Sequence, residues 1–423
     1  MNSFNPWHSQ FTLTWPRRPS FLFLNKKEDN SMSETITFSP APSVLGFGAL
    51  NKLPEILDSR GVKHLLIITD PQIADSGILE RVVDMLKGTI ACELFTGVPA
   101  EFRSSDIDAQ KEHFGSDFDA LLGLGGGSSM DFAKAMAIIM THGGSLGDYL
   151  GEGSVPDPVI PVVCVPTTSG TGSQNTQTTV FTISGVKRGV SSEYIRPAAS
   201  IVDPELTMDL PPEVTRNSGY DALMHACESF IARPHSEVPE RPILYQGSNP
   251  FSRGLSLEAF GYIWRSYRRA VSEGRNRGAR LDMSTGSHLA GLAFSHSGLG
   301  LVHALASAVG GMVDAPHGVC LAACTNIGLS YNFKVCEKDY AILANIMCGI
   351  DETAALNAGG KIFLKKLRDL IKDLDFPSSP SELGLGKEDA EKLLENTLVQ
   401  TRRTKTNPRT LDDDLFSHIR DGI

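Results

Sequence analysis

Residues 120–136 read Ala-Leu-Leu-Gly-Leu-Gly-Gly-Gly-Ser-Ser-Met-Asp-Phe-Ala-Lys-Ala-Met. A compact apolar run, Ala120–Leu124, runs into three consecutive glycines, Gly125, Gly126 and Gly127, then Ser128, and then helical spacing over Met130–Met140. Glycine lets a backbone approach a ligand closely, and the first turn of a helix offers free N–H groups and partial positive charge. Together these predict a buried strand, a tight turn and a helix whose N-terminus accepts a phosphate. The spacing is not that of the G-x-G-x-x-G dinucleotide fingerprint, so a plain turn is the competing reading.

The neighbouring segments repeat the pattern. His64–Thr69 (HLLIIT) and Ile160–Val165 (IPVVCV) are apolar runs bounded by Gly, Asp or Pro, as in parallel strands buried on both faces. Ser76–Lys87 carries helical spacing between them. Alternating strand and helix predict an α/β dinucleotide-binding domain with a parallel sheet over residues 32–210. Pro166-Thr167-Thr168-Ser169-Gly170-Thr171-Gly172-Ser173 follows the third run, and its hydroxyls and glycines can hydrogen-bond a nucleotide without adding charge. Asp70 closes the first run; there a carboxylate accepts from a ribose 2′-hydroxyl and repels a 2′-phosphate, which predicts NAD over NADP. A turn-initiating Asp before Pro71 is the structural alternative.

Beyond Pro211 and Pro212 the β signal fades. Glu213–Ala232, Leu255–Gly274, Met283–Phe294 and Lys361–Leu374 read as helices, so residues 211–423 are expected to form an all-α metal-binding catalytic domain. Asp221 and His225, four residues apart, share one helix face. His303 follows Gly298-Leu299-Gly300, and His317 stands in Pro316-His317-Gly318. One carboxylate and three imidazoles suit a first-row ion such as Fe(II) or Zn(II), whereas calcium and magnesium prefer more oxygen ligands. Taken singly, each histidine also fits a buried, hydrogen-bonded core position.

The segments GGGSSMDFAK, PTTSGTGS, GYDALMHACESF, SGLGLVHA and APHGV, in this order, resemble the iron-containing (group III) alcohol dehydrogenases. The resemblance runs from about residue 33 to the end. It implies a metal held by Asp221, His225, His303 and His317, with Fe(II) ahead of Zn(II). It also implies an NAD site using Gly125, Gly126, Gly127, Ser128, Thr167, Thr168 and Lys187, with Asp70 setting cofactor preference, and a homo-oligomer. Arg233-Pro234, the proline-punctuated loop after it and Tyr245-Gln246-Gly247-Ser248-Asn249-Pro250 resemble the hydroxyacid-oxoacid transhydrogenase branch, which passes hydride from 4-hydroxybutyrate to 2-oxoglutarate through a retained nicotinamide. A dehydroquinate-synthase-like lyase or a zinc glycerol dehydrogenase lacks the equivalent of His225, so the Asp-x-x-x-His pair counts against both.

Some positions depart from the family pattern. Ser307 stands where many members have a proton-transferring histidine, His296 replaces an asparagine, Gln174 replaces a glutamate, and Ala100-Glu101-Phe102 replaces an Asn-Pro pair. His296 is therefore expected to supply the proton path that Ser307, at the family's catalytic position, cannot. Arg233 and Arg241, flanking the long loop, are the expected partners of a substrate carboxylate.

The chain has 423 residues, 41% hydrophobic and 21% charged, ordinary globular usage. With 39 basic against 49 acidic side chains its formal charge is -10, which argues against a nucleic-acid coat or an anionic-membrane binder and leaves a small-molecule substrate as the expected partner. Seven scattered cysteines without a CxxC pair read as free thiols in a reducing compartment, the cytoplasm. Residues 1–31, with two tryptophans and few acids, read as a disordered extension ahead of Met32.

Overall fold

Six strands form one parallel sheet: β1 (Ser43–Leu45), β2 (His64–Ile68), β3 (Ala91–Phe95), β4 (Ala120–Gly125), β6 (Val162–Pro166) and β9 (Ala199–Val202), in the order β1-β9-β6-β4-β2-β3. This is a computed structural model in which residues 35–111, 113–115, 117–238, 244–349 and 359–423 are described. The expected extension, residues 1–31, and Arg241 lie outside them. Along β2 the side chains alternate between two buried layers. Leu66 and Ile68 join one apolar cluster, Leu65 and Ile67 the other, so the continuous apolar run reflects cover on both faces.

The chain leaves β2 toward β3 on one side and returns to β4 on the other. The strand order therefore reverses between β2 and β4, and a crevice opens beyond their carboxyl ends, the usual ligand position in such sheets. Asp70, the glycine turn and the Thr167–Ser173 loop sit at the carboxyl ends of β2, β4 and β6, around that crevice.

A second, three-stranded sheet was not expected. It contains β5 (Gly151–Glu152), β7 (Thr178–Ile183) and β8 (Val186–Ser191); β7 and β8 pair antiparallel, and β5 runs parallel to β8. Ser184 and Gly185 join β7 to β8, both at positive φ (51° and 77°), as a two-residue turn matched to strand twist requires.

The glycine turn leads into α1 (Gly127–His142). Past β9 the described regular structure is helical: α2 (Pro212–Ile231), α3 (Pro250–Ser272), α4 (Arg277–Ser297), α5 (Leu301–Gly310), α6 (His317–Cys348) and α7 (Gly359–Asp373), followed by shorter helices. Pro212 stands in the first turn of α2, where no backbone N–H is missed. Asn249 starts α3 by accepting from the N–H groups of Phe251 and Ser252, each at 3.1 Å. These helices share one apolar cluster that includes Leu223, Phe260, Val302, Leu321 and Phe363. Residues 36–423 form one compact unit. No single described helix is long and apolar enough to cross a membrane.

Lys134 ties α1 to the second sheet. Fully buried, its ammonium reaches Ser173 O and Oγ (2.7 Å each), Thr178 O (2.9 Å), Thr176 Oγ1 (3.1 Å) and Asp131 Oδ1 (3.3 Å). Removing one partner of a buried charge pair leaves the other uncompensated. Lys134→Met is expected to lower unfolding stability by about 3 kcal/mol, measured as the shift of the denaturant midpoint. An unshifted midpoint would show that these oxygens find other donors.

Candidate metal centre and dinucleotide cleft

Asp221 and His225 lie one turn apart on α2, which turns them to the same side, and both are buried. The chain reverses between α4 and α5 through Gly298 and Gly300, and the bend between the two helices is 100°. That bend places His303 in the first turn of α5, facing α2. Pro316 ends the next loop and His317 opens α6. Three imidazoles thus converge on one carboxylate oxygen. From Asp221 Oδ1, His303 Nε2 is at 3.3 Å, His225 Nε2 at 3.4 Å and His317 Nε2 at 3.9 Å. Ligand atoms bonded at about 2.1 Å to one tetrahedral ion stand about 3.4 Å apart. Asp221, His225 and His303 have spacings that fit such an ion and their ligand atoms lie within 4.8 Å of one another; His317, at 3.9 Å from Asp221 Oδ1, stands outside that group.

The outer nitrogens are held as well. His225 Nδ1 meets Gly170 O at 3.3 Å, in the Thr167–Ser173 loop, which directs its Nε2 toward the cluster. His303 Nδ1 meets Glu228 Oε2 at 2.5 Å. Glu228, two turns along α2 from Asp221, also accepts the backbone N–H groups of Val302 (2.7 Å) and His303 (3.2 Å). Gly300 makes this approach possible, since a Cβ there would stand 2.9 Å from Glu228 Oε1. The sequence reading missed Glu228 although it lies inside GYDALMHACESF; the signal available was its helical offset from Asp221 and His225.

Charge follows from these contacts. Burial opposes ionisation of Asp221, but His225, His303 and His317 outweigh it and hold the carboxyl well below the usual range. Burial pushes His225 down to about 4 and His317 down to about 3. Burial also acts on His303, yet its bonds to Asp221 and Glu228 win and raise it. At neutral pH the cluster offers an ionised carboxylate and, at His225 and His317, unprotonated imidazoles, the forms that ligate metal.

The cluster opens into a cavity of about 560 Å³ whose opposite wall includes Gly127, Ser128 and Thr171. Gly125, at φ 145°, is irreplaceable in this turn: a Cβ would lie 2.5 Å from Ser129 Oγ. Gly126 precedes α1, whose first residues are Gly127 and Ser128. Ser128 Oγ donates to Ala100 O. Thr167 N–H donates to Gly125 O at 2.9 Å, so the two loops are bonded side by side, with Thr168 next along the chain. Asp70 caps the short helix Pro71–Asp75 through Ile73 N–H (3.1 Å) and accepts from Ser129 Oγ (3.0 Å), beside the same turn. The turn-initiating role expected as its alternative is therefore real, and the second carboxylate oxygen faces the glycine loop. Lys187, on β8, lines the cavity and pairs with Glu101 at 2.5 Å.

His296 and Arg233 are not brought to the cleft, and Asp70, Thr167 and Thr168 stand beside the glycine turn without lining the cavity. His296 is absent from the cavity wall: its Nε2 accepts from Ser39 N–H (3.1 Å), its Nδ1 meets Leu292 O (2.8 Å), and its ring packs on Phe38. With both nitrogens bound it fastens the segment before β1 and has no free site for a proton relay. Arg233 turns to the C-terminal segment instead, donating to Asn407 O and Thr410 Oγ1, each at 3.1 Å. Ser307, one turn beyond His303, does line the cavity. Arg402 and Arg403, which the sequence reading passed over, line it too.

A glycine turn at the switch point of a parallel sheet, facing a one-carboxylate, three-imidazole cluster on helices, is the architecture of a dehydrogenase. Residues 40–204 match the family described as iron-containing alcohol dehydrogenase, and residues 215–420 match its C-terminal part. The long-chain-alcohol dehydrogenase 1 of Geobacillus thermodenitrificans is 33% identical over 382 residues, covering 89% of this chain and 93% of that protein. The NAD-dependent methanol dehydrogenase of Bacillus methanolicus is 33% identical over 91% of this chain and 99% of its own length. The mitochondrial hydroxyacid-oxoacid transhydrogenase of Rattus norvegicus is 31% identical over 88% of this chain and 86% of that protein. A crystal structure of 1,3-propanediol oxidoreductase superposes with a TM-score of 0.83 at 28% identity, covering 92% of this chain and 100% of that one. The chain belongs to the iron-containing alcohol dehydrogenase family.

Two predictions follow from the geometry of buried groups. Glu228→Gln keeps the shape but turns an amide toward three N–H donors, so metal affinity is expected to fall about 10–100-fold, measured by chelator competition; unchanged affinity would remove Glu228 from the orienting role. Burial pushes both His288 and His296 down to about 4. In the unfolded chain they titrate near 6.5 (roughly,), so below that pH the unfolded state takes up protons that the folded state refuses. Their contribution is complete above the unfolded value and is lost as pH falls toward the folded one, by roughly 1 kcal/mol per histidine per pH unit. Urea unfolding of His296→Gln is expected to show a shallower decline between these limits than the parent chain.

Proposed function

We propose that the chain transfers hydride between NAD(H) and a small alcohol or its aldehyde at a divalent ion, Fe(II) before Zn(II), held by Asp221, His225, His303 and His317. The observation that carries this reading is the convergence of three Nε2 atoms on Asp221 Oδ1, across one cavity from the Gly127–Ser128 turn. The donor set fits Fe(II) and Zn(II) alike; the family's name supports iron. Bound together, the ion supplies Lewis acidity toward the alcohol oxygen and the nicotinamide takes the hydride.

The protein's own groups do the rest. The start of α1 presents N–H groups and its positive end to the pyrophosphate. Thr167, Thr168 and Lys187 hold the nucleotide. Asp70 accepts from the ribose 2′-hydroxyl and repels a 2′-phosphate, which favours NAD over NADP. Phe294 stacks on His225 at 4.2 Å and lines the cavity, fixing the imidazole plane and keeping water off that side. Ser307, one turn from His303 on the cavity wall, would pass a proton to solvent through its hydroxyl.

Transhydrogenation at the same site is the second reading. It is supported by the 31% identity to the rat transhydrogenase and by Tyr245, from the segment that resembles that branch, which lines the cavity.

Chelator-stripped protein and His225→Ala are each expected to lose at least about 100-fold in turnover of NADH with aldehydes, with Fe(II) or Zn(II) restoring only the former. Turnover that survives stripping would refute the metal-dependent scheme. Oxidation of 4-hydroxybutyrate that needs 2-oxoglutarate and no added NAD would select the transhydrogenase.

A further inference from the structure

Two arginines on the short helix Thr401–Thr404 enter the cleft without a counter-ion. Arg402 and Arg403 line the cavity that holds the metal cluster and also a neighbouring cavity of about 470 Å³. Both lysines of these cavities are paired, Lys187 with Glu101 (2.5 Å) and Lys405 with Glu152 (2.6 Å), whereas Arg188 on the wall of the second cavity forms no ion pair among the described residues. Among the described residues neither Arg402 nor Arg403 forms an ion pair, and the buried Nε of Arg403 has no hydrogen-bond partner. Arg403 Nη1 donates to Gln400 Oε1 at 2.7 Å. Burial and the adjacent Arg402 push the Arg403 guanidinium down to about 9, so it stays cationic at neutral pH.

Arg403 is half-buried, with its Nε shielded from water and unpartnered, and a guanidinium so placed without an anion beside it is suited to receive one. The position of Arg402 is fixed from two sides. Its Nη1 donates to Ser191 Oγ at 3.0 Å, and its guanidinium lies 5.5 Å from the ring centre of Tyr245. Tyr245 is itself held at φ 53° with its hydroxyl bonded to Thr178 Oγ1. A bulky residue in that backbone region is strained, and such strain gathers at binding sites.

The place of Arg403 selects which anion. Arg403 shares one cavity with His317 and Asp221 and with Gly127 and Ser128; the glycine turn is the proposed seat of the phosphates, which leaves Arg403 for an anion on the substrate. The adjoining cavity is lined by Lys187, Arg188, Arg402, Arg403 and Lys405 against the single acid Glu152, a field that draws small anions toward the cleft.

The geometry points to Arg403, with Arg402 beside it, as the recognition site for a carboxylate at the far end of the substrate, which makes the substrate class a short hydroxyacid and its semialdehyde. This rests on the hydride-transfer reading above and narrows it. Arg233 is bonded elsewhere and cannot fill the role.

The test compares kcat/KM of the metal-loaded full chain for 4-hydroxybutyrate and 1-butanol, which share a four-carbon chain and differ at the distal end. The wild type is expected to favour the hydroxyacid. In R403M the ratio of the two values falls about 100-fold, mainly through KM, and R403K recovers part of it. Calorimetry of the metal-free chain with butyrate is expected to show binding that weakens with salt and is lost in R403M. An unchanged ratio, an equal fall for both substrates, or a rise in KM for NAD alone would overturn the assignment; the last would give these arginines to the cofactor. If the wild type oxidises neither alcohol, hydride transfer fails as the reading, while butyrate binding still decides the role of Arg403.

Discussion

A single buried carboxylate holds the catalytic half in register. Glu228 has no access to water and its charge is met by three N–H groups, two from the backbone at the start of α5 and one from the His303 ring. Those backbone groups belong to the helix end that has no intrahelical acceptor, so the same carboxylate caps α5 and sets the His303 ring. The bend through Gly298 and Gly300 is thereby pinned to α2, the helix that bears Asp221 and His225. Cluster geometry is then tied to how two helices are fastened.

The α/β half solves a comparable problem with an opposite charge. Lys134 is buried where α1, the Thr167–Ser173 loop and β7 meet, and oxygens from Ser173, Thr176 and Thr178 replace its water. This sets the distance between the glycine turn and the second loop. His225 Nδ1 then meets Gly170 O from that loop, so the Asp221–His225–His303 cluster and the glycine turn are fixed to the same backbone segment.

Much of this was legible because it rests on local pattern. Apolar runs buried on both faces gave β2, β4 and β6 to within two residues, and the i,i+4 pair in α2 and the two glycine-flanked histidines supplied the cluster. The rest depends on partners distant in sequence. Nothing near Glu228 announces that its acceptors serve residues 302 and 303. The β7–β8 hairpin alternates side chains around a Ser-Gly turn, yet short polar alternation of that kind also fits a loop. His296 occupies a position suggestive of proton transfer, but only the fold shows Ser39 and Leu292 taking both of its nitrogens. Arg233 and Arg403 are both arginines beside proline- or threonine-rich loops; which one faces the cleft is decided by the path of the last 25 or so residues across it, a long-range matter with no local period.

The net charge of -10 was informative about partners and silent about the site. An acidic total excludes a broad basic surface, yet a local field depends on where unpaired charges lie. Across the molecule many lysines and arginines are neutralised within 4 Å by acids on the surface, as Arg265 by Asp282 and Arg268 by Asp373, and contribute little beyond solubility. The cleft differs because its arginines lack that neutralisation, while of the acids on its wall Asp221 meets imidazoles, Asp131 meets Lys134 and Glu101 meets Lys187, and Asp314 alone has no ion pair among the described residues. Selectivity for anionic substrates can arise in an acidic protein by this division alone.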